Sequence, residues 1–264
     1  MSTEIYYFSG TGNSLHVAKE LQKRIAEVNL IPIVSLLDKD IIETNAETVG
    51  FVFPIYMTAI PMPVKKFIKK LDIRSTKYIF AIATRIGTSH SAFLDIEKIL
   101  KKKGKSLDSY FTLNMASNDP KFNYKVPTDE EIQKLESVIH DRLEMIQKII
   151  INKEKKHEKD TSYLTRIPFV GLISFFVTLT EGLKVNYYSD SNCSGCGTCE
   201  KICLSKKIKM IDSKPMWQEN IKCYHCDACL NYCPMQSVQI KSFTEKNGRY
   251  SHPYATVDDI AGQK

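Results

Sequence analysis

The sequence predicts an α/β protein: a doubly wound, five-stranded parallel sheet followed by a smaller α+β unit. Three observations lead there. Short apolar runs alternate with amphipathic helical patterns through the first half of the chain. A Ser/Thr/Gly loop joins the first predicted strand to the first helix, and all eight cysteines fall between positions 193 and 233. With 264 residues the chain exceeds one ordinary domain. Its 43% hydrophobic and 25% charged residues exclude disordered, collagen-like and solenoid classes.

Glu4 to Phe8 reads as a strand, and Leu15, Ala18, Leu21 and Ile25 recur at helical spacing after it. Between them lies Ser9-Gly10-Thr11-Gly12-Asn13-Ser14. A strand, a small polar loop and a helix N-terminus form an anion site, because free N–H groups, the positive helix end and three hydroxyls converge. Strands follow at Ile31 to Ser35, Val49 to Phe53, Tyr78 to Thr84 and Tyr110 to Asn114. Helices are expected over Val64 to Leu71 and where Phe93, Ile96, Ile99 and Leu100 share a face. Strands alternating with helices wind a parallel sheet, whose ligand sits beyond the strand C-termini at the switch point. The loops there are residues 9–14, 54–61 and 85–91.

Thr128-Asp129-Glu130-Glu131 is a capping box. It opens a long helix with Ile132, Leu135, Ile139, Leu143, Ile146 and Ile150 on one face, expected to cover the sheet. The charged run Asn152 to Ser162 reads as a helix end or linker.

The cysteines form two sets of one spacing: Cys193, Cys196, Cys199, Cys203, and Cys223, Cys226, Cys229, Cys233 followed by Pro234. Short CxxC steps let three thiolates of one loop reach neighbouring corners of a small inorganic cube, and such a loop does not easily supply the fourth. Structural zinc and disulfides are the competing readings. Zinc knuckles have no use for a third cysteine at the same step, repeated twice. Disulfides suit secreted chains, whereas here no basic segment leads into an apolar signal region, so a cytoplasmic location is expected.

Residues 186–243 resemble a bacterial-type two-[4Fe-4S] ferredoxin domain. In that arrangement the fourth cysteine of each motif reaches the other cluster. The resemblance therefore implies Cys193, Cys196, Cys199 and Cys233 for cluster one, and Cys223, Cys226, Cys229 and Cys203 for cluster two. Leu204 departs from it, since the family usually carries Pro there. Gly195 and Gly197 suit a loop that passes close to sulfur. Ile208 to Ile211 and Val238 to Ile240 read as the small strands of such a domain.

The loop of residues 9–14 is neither a Walker loop nor a GxGxxG fingerprint. It resembles the flavodoxin phosphate loop, which holds the FMN phosphate with hydroxyls and amides and no cation. By that resemblance Pro54-Ile55-Tyr56-Met57 is where the isoalloxazine ring lies, and Tyr56 either stacks on the flavin or packs on its neighbours. Thr84, Arg85, Gly87 and Thr88 fall at the pyrimidine edge, where Arg85 either stabilises a reduced, anionic flavin or is a solvated surface residue.

The fourteen residues from Ile167 to Thr180 are apolar but shorter than the ~20 of a bilayer span, so no transmembrane segment is predicted. They are expected to pack between the two units, to form a homodimer interface or to lie on a membrane surface. Lys and Arg number 37 against 30 Asp and Glu, for a net charge of +7. The lysines are scattered over helical faces without interleaved aromatics, which argues against nucleic acid. Trp217 is expected in a core or against a cofactor. The six histidines show no metal-ligand spacing and are assigned to surface or packing.

Together with the Pro215-Met216-Trp217 segment and the tail Gly248-Arg249-Tyr250-Ser251-His252-Pro253, these motifs resemble single-chain flavodoxin/ferredoxin fusions of anaerobic bacteria and archaea. That resemblance implies FMN, two [4Fe-4S] clusters and electron transport. It divides the chain into residues 1–160 (FMN domain), 161–185 (apolar connection), 186–243 (ferredoxin domain) and 244–264 (tail). Two functions follow as expectations. One is an electron carrier between a ferredoxin-type donor and a protein acceptor. The other is an FMN-dependent reductase, an oxidoreductase acting on a small quinone, nitro compound or enone. No residue is singled out as an acid or base.

Overall fold

The computed structural model describes residues 2–56, 59–86, 91–121, 124–158 and 185–264. The main sheet contains β1 (Thr3–Tyr7), β2 (Val28–Pro32), β4 (Thr48–Pro54), β6 (Tyr78–Arg85), β7 (Ser109–Asn114) and β8 (Lys156–His157). All are parallel, in the order β2-β1-β4-β6-β7-β8. Two-residue strands β3 (Ile42–Glu43) and β5 (Leu71–Asp72) pair apart from it. The order reverses between β1 and β4, so the switch point lies beyond their C-termini, where the loops after Tyr7 and Pro54 leave the sheet.

Every residue of β4 is buried, as is β6 up to Arg85. Strands buried on both faces read as continuous apolar runs, which is why they were legible. Their packing is tight: a Cβ on Gly50 would stand 2.1 Å from the ring of Phe80. Helix α1 (Asn13–Arg24) packs beside α4 (Asp129–Ile151), and α2 (Met62–Lys70) beside α3 (Ala92–Lys101), as the two covered faces of a doubly wound sheet require. The Thr128 capping box closes as expected: the Glu131 N–H donates to Thr128 Oγ1 at 3.2 Å and the Thr128 N–H to Glu131 Oε2 at 2.8 Å.

Two elements differ from the sequence reading. The second strand lies at Val28–Pro32, earlier than Ile31 to Ser35, because Val28 to Pro32 face Thr3 to Tyr7 in register. Pro32 lacks the N–H to continue, so Val34–Leu36 turns into a 3₁₀ segment that buries Val34. The charged run after Asn152 is more than a connection. Lys156–His157 adds the sixth strand, and Glu158 accepts from the Thr112 N–H at 2.8 Å and from Arg142 at 2.6 Å. The apolar stretch 167–180 lies outside the described residues. Among those described, no helix is long and apolar enough to cross a membrane.

The second unit is a small α+β layer. Strand β9 (Tyr187–Ser189) pairs antiparallel with β12 (Val238–Ile240), and β10 (Ile208–Ile211) with β11 (Lys214–Trp217). Each cysteine loop runs into a one-turn helix, Thr198–Lys201 and Ala228–Asn231. The residues before these turns, Gly197 and Asp227, are both left-handed at φ 74° and 52°. The 30-residue repeat is thus a repeat of backbone shape. Leu204 is 1% exposed and belongs to the same apolar core as the main sheet, with Ile202, Ala228 and Ile260. Leucine fills this core at the position where the resemblance leads one to expect proline. Trp217 lies flat over Tyr187 at 6.3 Å beside the cysteine loops.

Candidate functional site

The loop of residues 9–14 occupies the switch point. Gly12 caps α1 in the left-handed region at φ 102°, a conformation that suits glycine. The first-turn N–H groups of a helix have no helical acceptor, so those of α1 converge on the loop. Ser9, Thr11 and Ser14 are buried to 1% exposure or less. Their hydroxyls are held from behind. Ser9 Oγ accepts from the Gly12 N–H at 3.2 Å, Thr11 Oγ1 accepts from the Asn118 side-chain amide, and Ser14 Oγ lies 2.7 Å from Thr84 Oγ1. Ser9 and Thr11 act as acceptors in these bonds and keep their own protons to donate, and Ser14 does too when Thr84 is its donor. This donor chemistry suits an anion, but the second cysteine loop and the tail already cover the loop, so a phosphate enters only where that packing parts. The neighbouring Asn13 Oδ1 is buried without a partner among the described residues, although its amide donates to Ala116 O at 3.0 Å. An acceptor left over beside a phosphate site suits a hydroxyl of a sugar-alcohol chain.

Thr84, read from sequence as part of the flavin-edge loop, is 3% exposed and belongs to this phosphate-loop network. Pro54 ends β4, and the Ile55 N–H donates to the Thr84 carbonyl at 2.9 Å, tying the second loop to β6. Tyr56 turns back through paired bonds with Ala59. Its ring meets Phe8 edge to face at 6.2 Å, and Phe8 meets Tyr224 in the same way at 6.3 Å. Burial, then the negative charge of Cys226, Asp227 and Cys223, raises the Tyr56 hydroxyl well above its ordinary 10. Tyr56 thus faces the second cysteine loop. Arg85 donates from Nε to Asn114 Oδ1 at 3.2 Å. Met57, Gly87 and Thr88 lie outside the described residues.

All eight cysteines are free thiols. Cys193, Cys196, Cys199 and Cys233 line one small cavity, with Met210, Pro215 and Met235 at its walls. On the other side, the charge of Cys203 raises the thiols of Cys223, Cys226 and Cys229, although burial is the larger cause in each. The fourth cysteine of each motif thus stands beside the triplet of the other. Backbone amides point at the sulfurs: the His225 N–H donates to Cys223 Sγ and the Ser237 N–H to Cys233 Sγ, both at 3.3 Å. Burial pushes the thiols of Cys199 and Cys223 up to about 11. Cys196 is exposed and its hydrogen bond with Thr198 lowers its thiol, whereas the buried sulfurs of Cys199, Cys223, Cys226 and Cys229 need a cationic centre to hold them as thiolates. These donors fit iron-sulfur clusters.

The histidines hold a grouping that spacing did not reveal. His16 of α1 and His252 of the tail stack at 4.2 Å, and their Nε2 atoms lie 2.8 and 3.0 Å from the two oxygens of Glu136 of α4. Burial alone would raise Glu136, but the hydrogen bonds and charge of the two imidazoles outweigh it and hold the carboxyl at about 2. The Tyr254 N–H donates to His252 Nδ1 at 3.3 Å, which leaves the Nε2 proton of His252 for Glu136. The three groups satisfy one another.

Fold and site define a redox electron-transfer protein: a flavodoxin-like parallel α/β core with a small C-terminal domain carrying a 4Fe-4S dicluster motif. Residues 192–238 match the family model described as a 4Fe-4S dicluster domain. Among curated proteins, none matches the chain. Solved structures similar to it include a Trp repressor binding protein from Bacillus subtilis, 19% identical, over 54% of this chain and 96% of that one at a TM-score of 0.35. An azoreductase from Bacillus anthracis is 14% identical over 58% of this chain and 100% of its own, at 0.35. An NAD(P)H:quinone oxidoreductase from Methanothermobacter marburgensis is 10% identical over 56% and 95%, at 0.37.

Proposed function

We propose that the chain is an iron-sulfur flavoprotein that moves electrons between two [4Fe-4S] clusters and FMN, with a ferredoxin-type donor and a protein acceptor. Clusters exchange single electrons and flavin one or two, so their pairing converts one-electron into two-electron steps. Cys193, Cys196, Cys199 and Cys233 ligate cluster one, and Cys223, Cys226, Cys229 and Cys203 cluster two. Ser9, Thr11 and Ser14 donate to the FMN phosphate, and Tyr56 stands between the flavin site and the second cysteine loop.

The observation that carries this reading is the direct packing of the second cysteine loop on the phosphate loop. A Cβ on Gly10 would stand 2.1 Å from the Cys226 carbonyl oxygen. Electron exchange needs the two sites close together, and this contact brings the second cysteine loop against the phosphate loop.

The test is anaerobic purification with iron, sulfide and flavin counted per chain, then reoxidation by a panel of acceptors. The reading expects about eight iron, eight sulfide and one FMN. Full iron without FMN would remove the flavin half. Steady turnover with a quinone, nitro compound or enone alone would replace the carrier by a small-acceptor reductase.

A further inference from the structure

The two cysteine motifs share one backbone shape and differ in the side chain at its turning point. The left-handed residue before each one-turn helix is Gly197 in the first motif and Asp227 in the second. A Cβ at Gly197 would meet nothing within 4 Å, so the first loop has room for a side chain there and carries none. Left-handed backbone is disfavoured for a residue with a Cβ, although aspartate is among those that tolerate it. Glycine would be free of that cost, and the second loop has a carboxylate instead.

That carboxylate belongs to a largely buried ion pair. Asp227 Oδ2 lies 2.7 Å from Lys121 Nζ, and its Oδ1 accepts from the Tyr187 hydroxyl at 2.6 Å. The side chains of Lys121 and Asp227 are 19% and 12% exposed. Lys121 comes from the segment between β7 and α4, and its ammonium also reaches the more exposed Asp119 at 2.6 Å. Tyr187 packs with Cys229 and Cys233 against the small core. A carboxylate thus stands between Cys226 and Cys229 in the chain, and an ammonium is drawn in from the first unit to meet it. The charge of Asp227 adds to burial in raising the thiols of Cys223, Cys226 and Cys229.

An ion pair so little exposed adds little net stability, because desolvating both charges offsets their attraction. On a redox centre beside it the same charges act strongly, since burial leaves little water to screen them. Negative charge next to an iron-sulfur cluster disfavours the added electron, and positive charge favours it.

We propose that Asp227 and Lys121 are opposed tuning residues for cluster two: the carboxylate lowers its reduction potential and the ammonium restores it. Gly197 gives cluster one no counterpart at this position, so the pair acts mainly on cluster two and sets the gap between the clusters. The proposal rests on the cluster ligation given above and is independent of the flavin.

The experiment is an anaerobic redox titration of the full chain, with each four-iron cluster followed by low-temperature electron paramagnetic resonance and iron counted per chain. The step that persists in Cys196→Ala, which removes a ligand of cluster one, marks cluster two. Lys121→Met keeps the reach of the side chain and removes its charge, so the cluster-two step should shift to lower potential while the other holds. Lys121→Arg should hold the step near its wild-type value. Asp227→Asn keeps a residue that tolerates the left-handed backbone and an acceptor for the Tyr187 hydroxyl, and should shift the same step upward. The two changes together should bring it back towards wild type, which a loss of packing would not do. Lys134→Met removes the same charge from a site on α4 that is 75% exposed, and should move neither step. If Lys121→Met loses iron, Asp227→Asn carries the test alone. A cluster-two step that stays or falls in Asp227→Asn, or equal shifts of both steps, overturns the proposal. Wild-type protein that lacks a second four-iron cluster overturns instead the reading on which it rests.

Discussion

Gly10 touches the backbone of Cys226: a Cβ at position 10 would stand 2.1 Å from the Cys226 carbonyl oxygen and 2.9 Å from its Cβ. No flexible side chain end is there to yield, since the obstacle is backbone. Gly10→Ala should therefore push the second cysteine loop off the phosphate loop. The expected cost is about 1 to 3 kcal/mol, the usual range for overpacking. Melting should show the loss, and both iron per chain and FMN affinity should fall together. A variant with unaltered melting and cofactor content would mean that the contact is slack.

The hydroxyls of the phosphate loop give a second prediction. Thr11→Val with Ser14→Ala removes two donors and leaves the backbone turn in place. Each lost bond to a charged group costs about 1.5 to 3 kcal/mol. FMN affinity should drop by the sum of two such bonds while riboflavin affinity holds, as read by fluorescence titration. Unchanged FMN affinity would take Thr11 and Ser14 out of the site.

What was legible in the sequence was local. The strand, loop and helix around Ser9 to Ser14 are contiguous, and the cysteine repeat states its own spacing. Long-range docking was not legible. Gln263 is a single polar residue in a polar tail, and nothing near it marks Ser9 as its partner. His16, Glu136 and His252 lie on three elements that meet only after the units dock. Leu204 looked like a lapse in a motif until its burial gave it a role in the shared core. The second strand was misplaced by three residues because its register is set by β1, not by its own apolar pattern.

The burial of His252, which outweighs its contact with Glu136, predicts a pH dependence. Burial, the largest cause, lowers the folded pKa of His252 below its ordinary 6.5. As pH falls through 6.5 the unfolded chain takes up that proton first, so stability is lost on acidification. Glu136, held at about 2, stays ionised through this range and adds no loss of its own above the ordinary carboxylate pKa of 4.5. Urea unfolding between pH 7 and pH 5 should show stability declining as pH drops, with iron retained. His252→Gln should be less stable at pH 7 and flatter over that interval. Equal slopes in the two proteins would assign the decline elsewhere.

The proposed ligation gives the last prediction. Cys203 stands with Cys223, Cys226 and Cys229, and Cys233 lines the cavity of Cys193, Cys196 and Cys199. Cys203→Ala should therefore damage the cluster of the second triplet, not the one nearest in sequence. Losing one of four thiolates frees one corner of the cube, so a three-iron signal or a partial loss of iron is expected beside one intact four-iron signal. Two double variants locate the damage. Cys203→Ala with Cys226→Ala strikes one cluster twice, and about four iron per chain should remain, since one four-iron cluster survives. Cys203→Ala with Cys196→Ala strikes both clusters, and no intact four-iron signal should remain. Anaerobic iron analysis with low-temperature electron paramagnetic resonance separates the cases. The opposite pattern would mean that each motif closes its own cluster, and Cys203 and Cys233 would exchange places in the ligand sets.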